Sequence, residues 1–174
     1  KPDYMPGHSH AETLSFETSF NNKRFIVNSG VSVYGLGEKR IFQRSTKAHS
    51  TVEIDNKNST DVWSGFRVGS RARVFNRNQK IDHEEKYVYA AHDGYMKLKG
   101  NPIHSRLWIL KDNQLEVLDH INGSFMHTIC IRYYLHPRCK IEKIYSNSLV
   151  VKRKYQNGFS KILIYWDSKF SLEI

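Results

Sequence analysis

His8 and His10 stand two residues apart in Pro6-Gly7-His8-Ser9-His10-Ala11-Glu12, the first place in the chain where residue type and spacing together suggest chemistry. An alternating run over residues 14–20 follows at once. In a strand every second side chain shares a face, so both imidazoles are expected on one side of the backbone, able to act on one object. Neutral imidazole ligates metal ions, and an imidazole titrating near neutral pH neutralises an anionic substrate or moves a proton. The spacing equally fits two surface histidines at a strand entrance. A second concentration lies in residues 39–50, where Arg40, Arg44, Lys47 and His49 precede a strand expected over residues 51–55. A loop of cations suits the wall of an anionic site, and it also fits ordinary loop charges.

The elements that must position these groups read as strands. Leu14, Phe16 and Phe20 alternate with Ser15, Glu17 and Ser19, Asn21-Asn22 makes a turn, and residues 24–27 return as the second arm of a hairpin. That hairpin is expected to bring Asn28 near the height of His10. Further strands are expected at 67–76, 86–92, 104–111, 114–121, 125–136, 140–145, 148–154 and 159–166. Turns at Asp112-Asn113, Asn122-Gly123, Ser146-Asn147 and Asn157-Gly158 punctuate them. No segment shows a helical period with caps. The pattern predicts one all-β domain over residues 1–174, a two-layer, mostly antiparallel β-sandwich.

The chain has 174 residues with 27 lysines and arginines against 17 acids, a formal charge of +10. Such an excess draws polyanions: nucleic acid, anionic lipid surfaces or acidic polysaccharides. No helix-turn-helix, zinc-finger or RNA-binding signature is present, so no nucleic-acid partner is expected. No apolar run approaches the roughly 20 residues of a membrane span. Cys130 and Cys139 make neither a disulfide framework nor a four-ligand metal set, and a bridge between them is left open. The sequence opens on Lys1 with its first motif close behind, so a longer parent protein is expected.

Three stretches carry a resemblance: His8-Ser9-His10-Ala11-Glu12-Thr13-Leu14-Ser15-Phe16-Glu17, Phe25-Ile26-Val27-Asn28-Ser29-Gly30 and Arg44-Ser45-Thr46-Lys47-Ala48-His49-Ser50-Thr51-Val52. In order and spacing they resemble the C-terminal β-domain of the heparinase II/III-like polysaccharide lyases. Ala90-Ala91-His92-Asp93-Gly94-Tyr95, Arg106-Leu107-Trp108 and Tyr134-Leu135-His136-Pro137 extend the likeness over most of the chain. The resemblance implies β-elimination on an acidic, uronate-containing polysaccharide such as a heparin-like or alginate-like polymer. It implies an active site shared with an N-terminal α/α toroid that this sequence lacks, so the piece alone is expected to be inactive. His8 maps onto the histidine that this domain contributes to catalysis, with Arg40, Arg44 and Lys47 as expected substrate-binding helpers. Some members hold zinc in the β-domain, at positions matching His10, Asn28 and His49. Asn28 stands where the family has an aspartate, and a neutral amide is a poorer zinc ligand, so a hydrogen-bonded cluster is the alternative. Relatives work in the periplasm or outside the cell, and the same location is expected here. A non-catalytic carbohydrate-binding or structural module is the second reading. Tyr34, Trp63, Trp108 and Trp166 suit either sugar contact or the core, and His92, His104, His120, His127 and His136 read as structural.

Overall fold

The computed structural model describes residues 4–83, 85–156 and 158–174. Asn157, half of one expected turn, lies outside the described residues. In chain order the strands are β1 (Thr18–Phe20), β2 (Lys23–Ile26), β3 (Val52–Ile54), β4 (Val62–Trp63), β5 (Arg67–Val68), β6 (Val74–Ile81) and β7 (Lys86–His92). They continue as β8 (Ile103–Lys111), β9 (Gln114–Asn122), β10 (Ile129–Ile131), β11 (Cys139–Ile144), β12 (Ser148–Tyr155) and β13 (Gly158–Tyr165). Among the described residues one α-helix, α1 (Glu38–Arg44), lies between β2 and β3. Among the described residues every strand pairing is antiparallel, so the chain is all-β as its turn spacing predicts. No described helix is long and apolar enough to cross a membrane. The chain falls into two compact units: residues up to Phe16 with Asn28–Tyr133, and Glu17–Val27 with Tyr134–Ile174.

The first unit contains the four-stranded meander β6-β7-β8-β9 and the ribbons β4-β5 and β3-β10. Val52, Ile54 and Tyr95 form its apolar centre, with Ile121, Ile129 and Ile131 against them. The buried Tyr95 hydroxyl donates to Val52 O at 2.7 Å, which removes the cost of an unpaired phenol. A buried polar chain crosses β7, β8 and β9. Gly94 N donates to His92 Nδ1, so His92 carries its hydrogen on Nε2 and donates to His104 Nδ1 at 3.0 Å. His104 in turn donates from Nε2 to Asp119 Oδ1 at 2.6 Å. Both imidazoles are therefore neutral. Arg106 closes the chain with a two-pronged pair to the Asp119 carboxylate at 2.7 and 2.9 Å.

Burial holds His104 below its ordinary 6.5, against the opposing pull of Asp119. Burial alone would raise Asp119, but hydrogen bonds from His104 and Arg106 outweigh it and hold the carboxyl below 3.8. An unfolded chain takes up a proton at His104 near 6.5 while the folded chain resists. The stability this group contributes is whole above that pH and is lost as pH falls below it; Asp119 adds a second loss below its own ordinary value. The urea midpoint is accordingly expected to fall between about pH 7 and pH 5. A midpoint unchanged over that interval rejects the neutral histidine pair.

The second unit pairs β1 with β2 and β11 with β12 and β13. Phe25, Leu149 and Val151 are its buried centre, flanked by Phe20, Ile141, Ile162 and Trp166. Cys130 and Cys139 are both free thiols.

Four expectations change. The strand expected over 14–20 is confined to β1, because Leu14 takes a φ of 60° and interrupts the extended run. The stretch 67–76 splits between β5 and the start of β6, and only Ile129–Ile131 of 125–136 pairs as a strand. The cationic loop after residue 38 is partly helical. Gly37 precedes α1, with Glu38 in its first turn and Arg44 in its last, charges that complement the helix dipole. This helix buries Arg40 and Arg44, four residues apart, and leaves Ile41 and Phe42 exposed. Its hydrophobic period is inverted, so a search for apolar spacing passes over it.

Candidate functional site

No sheet holds residues 8–14. Side chains from elsewhere in the first unit take their carbonyls in turn. Ser9 O accepts from Nε and Nη2 of Arg44 at 3.2 and 3.1 Å. Ala11 O accepts from Thr46 Oγ1 at 2.8 Å and from Ser59 Oγ at 3.4 Å. Thr13 O accepts from Thr51 Oγ1, and Leu14 O from Arg106 Nη1, each at 2.8 Å. Arg106 Nη1 also reaches Ser50 O at 2.9 Å, beside His49. Buried carbonyls must be paired, and here the Arg-Ser-Thr and His-Ser-Thr stretches supply donors together with Ser59 and Arg106.

Arg44 therefore has a different part from the one expected. It is fully buried, and its five N–H groups go to main-chain oxygens: the two on Ser9, then Trp63 and Ser64 from Nη1 and Arg67 from Nη2. Burial, and then the charge of Arg40, push this guanidinium below its ordinary value. It positions the His-Ser-His backbone and does not face a ligand. Lys47 is half-buried on the short 3-10 turn Thr46–Ala48.

His8 and His10 find different neighbours, because the chain forms a 3-10 turn over Pro6–His8 where strand alternation does not apply. His10 Nδ1 stands 3.3 Å from His49 Nε2. Glu12 Oε2 lies 3.7 Å from His49 Nδ1, and His10, Glu12 and His49 each offer a ligand atom within 4.8 Å of the others. Two imidazoles and a carboxylate are a donor set suited to a divalent transition metal. The two nitrogens are within hydrogen-bond reach of each other, a spacing that two nitrogens on one tetrahedral zinc also have, about 3.3 Å, while Glu12 faces the other ring nitrogen of His49. Asn28 Oδ1 accepts from Gly30 N at 2.9 Å, and its Nδ2 donates to Glu12 Oε2 at 3.3 Å, so the amide braces this carboxylate. The carboxylate absent at position 28 is present at position 12, and Asn28 holds it. His-x-His-x-Glu was the signal that would have identified Glu12.

His8 is exposed, and its ring packs edge-on against Tyr34 and Phe66 at centroid distances of 6.1 and 5.5 Å. The guanidinium of Arg40 lies 5.2 Å from the Tyr34 ring centre and 5.4 Å from that of Phe66. Arg40 is 1% exposed and donates from Nε to Gly65 O. Its Nη1 and Nη2 have no acceptor among the described residues. An exposed imidazole and a buried cation thus share two aromatic neighbours. Phe66 has no mark in the sequence that would have singled it out.

Of the remaining histidines, His92 and His104 belong to the interior chain described above, and His127 bonds Asp55 at 2.6 Å, which holds that carboxyl below its usual range. Neither a curated protein nor a solved structure matches the chain. Residues 1–169 match the model of the heparinase II/III-like C-terminal domain, nearly the whole length. The chain belongs to the heparinase II/III-like family, as its C-terminal β-domain.

Proposed function

We propose that this domain forms one wall of the active site of a polysaccharide lyase that cleaves a uronate-containing polymer by β-elimination. The observation that carries the reading is His8, exposed beside Tyr34 and Phe66 with the Arg40 cation behind the same rings. Elimination removes the C5 proton, forms the C4–C5 double bond and breaks the C4–O4 bond, with a proton delivered to O4. His8 serves as the acid/base group or neutralises the carboxylate that makes C5 acidic. Arg40 favours an anion near that face, and Lys47 is a further binding group. Tyr34 offers a phenol at the same place. The α/α toroid expected from the family supplies the opposite wall, in an exported protein. Incubation of the intact lyase with heparin or alginate is expected to raise the absorbance of an unsaturated product; no rise with any acidic polysaccharide rejects the reaction.

His10, Glu12 and His49 are the residues that would hold a zinc ion in this domain. Bound there, the ion would supply positive charge and fix the segment that carries His8. Glu12→Gln is expected to lower zinc affinity by about tenfold or more. Isothermal titration of the apo domain with zinc checks this, and an unchanged affinity removes Glu12 from the set. His8→Ala is expected to leave the affinity as it was.

A further inference from the structure

The second unit holds less than a third of the chain, yet has ten lysines and arginines against four acids. More than half of the excess positive charge sits there. Its three-stranded sheet has two unlike faces. Ile141, Leu149, Val151, Ile162 and Ile164 point to the apolar centre of the unit, so the alternate residues form the opposite, outward face. On that face Lys140 is paired in register with Lys152, and Lys152 with Lys161, a row of three ammonium groups across neighbouring strands. Lys154 stands two residues along β12, and Lys143 joins the same face beyond the irregularity between Ile141 and Lys143.

Like charges directly opposite each other on a sheet are destabilising, and this sheet places two such pairs in succession. Glu142 relieves part of the repulsion by pairing with Lys152 and Lys161. Lys140 and Lys154 have no acidic partner among the described residues. Interleaved with the lysines are exposed apolar groups: Phe159, Leu163 and Tyr165 are each more than half exposed. Lys152 Nζ lies 4.2 Å from the centre of the Phe159 ring. Ammonium groups beside open rings match a polymer with anionic substituents and sugar C–H faces, because the first bind the charges and the second cover the apolar faces.

We infer that the outward face of β11-β12-β13 is a second, non-catalytic binding surface for an acidic polysaccharide, separate in its residues from the His8 site. The polymer class rests on the lyase reading; the surface itself rests on the lysine row and the rings. Neighbouring strands about 4.8 Å apart spread the row over about 10 Å, enough to engage more than one sugar unit. Such a surface would hold a long chain on the protein between cleavages.

The test uses the 174-residue domain and three probes: heparin, alginate and a DNA duplex. The triple variant Lys140→Gln, Lys152→Gln, Lys154→Gln is expected to bind heparin and alginate about tenfold or more weakly, with a shallower dependence on salt. Its thermal midpoint is expected to be unchanged or raised, since like charges have been removed from one face. His8→Ala, which alters the first site alone, is expected to weaken binding of both polymers less than the triple variant does. Binding lost in His8→Ala and kept in the triple variant overturns the proposal, because the polymer then sits only at the first site. Tighter binding of the duplex than of either polysaccharide also overturns it, in favour of a nucleic-acid surface. Failure of the lyase assay leaves this measurement intact, so the two ideas fall separately.

Discussion

Arg44→Met is expected to cost the domain about 3–5 kcal/mol of folding stability, among the largest effects of any single change in it. Four main-chain carbonyls, those of Ser9, Trp63, Ser64 and Arg67, lose their donors at once, at about 1 kcal/mol or more each. Methionine fills much of the volume but offers none of the five N–H groups. Arg44→Lys is expected to be nearly as damaging, because three donors on a single nitrogen cannot reach oxygens arranged around a planar fork. Urea denaturation of both variants against the parent decides the matter. A loss below about 1 kcal/mol in Arg44→Met would mean that water replaces the guanidinium, and that Ser9 does not depend on it. Since Ser9 lies between the two histidines, a folded Arg44 variant is also expected, on the proposed zinc reading, to bind the ion more weakly than the parent.

On the proposed lyase reading, His8→Ala in the full-length protein is expected to lower the rate of unsaturated-product formation by about 10²–10⁴-fold, the usual contribution of a positioned acid or base. The folding midpoint is expected to stay with the parent's, because His8 is exposed and its contacts are two edge-on ring packings. A separation of rate from stability marks a group that touches substrate. His8→Gln keeps a hydrogen-bond donor but cannot exchange a proton near neutral pH. It is expected to restore polymer affinity in part and rate hardly at all, if His8 moves a proton. Recovery of both would assign His8 to holding the carboxylate. Activity undiminished in His8→Ala rejects the role altogether.

These two residues divide the site. His8 is presented outward on a short turn, and Arg44 works inward on the backbone beneath it. Arg106 does the same a few residues further along, joining Leu14 O and Ser50 O to the Asp119 carboxylate. Two buried guanidinium groups thus fix a segment that has no strand partner, and a fixed backbone is what the proposed role of His8 would require.

Much of this was legible in the residues themselves. Turn pairs at regular intervals and β-branched and aromatic runs give strands β7, β8, β9, β12 and β13 to within a residue or two, because the alternation of apolar and polar side chains follows directly from which face a strand buries. The order of the three motif stretches also names the family, and with it His8, His10 and His49 as a group worth testing. What the linear pattern cannot express is where a charged side chain ends up. Arg40 and Arg44 read as a cationic loop, yet the tertiary structure turns both inward on α1, where carbonyl oxygens from distant segments replace the water around Arg44. No periodicity records that arrangement, because its partners are main-chain groups that every residue carries. The exchange of a carboxylate between positions 28 and 12 has the same origin. Asn28 spoils the expected ligand set when residues are read along the chain, whereas in space its amide donates to Glu12 and leaves two imidazoles and a carboxylate together. Residue types set which chemistry was available; the fold chose which of those groups meet, because packing brings together atoms that sequence spacing keeps apart.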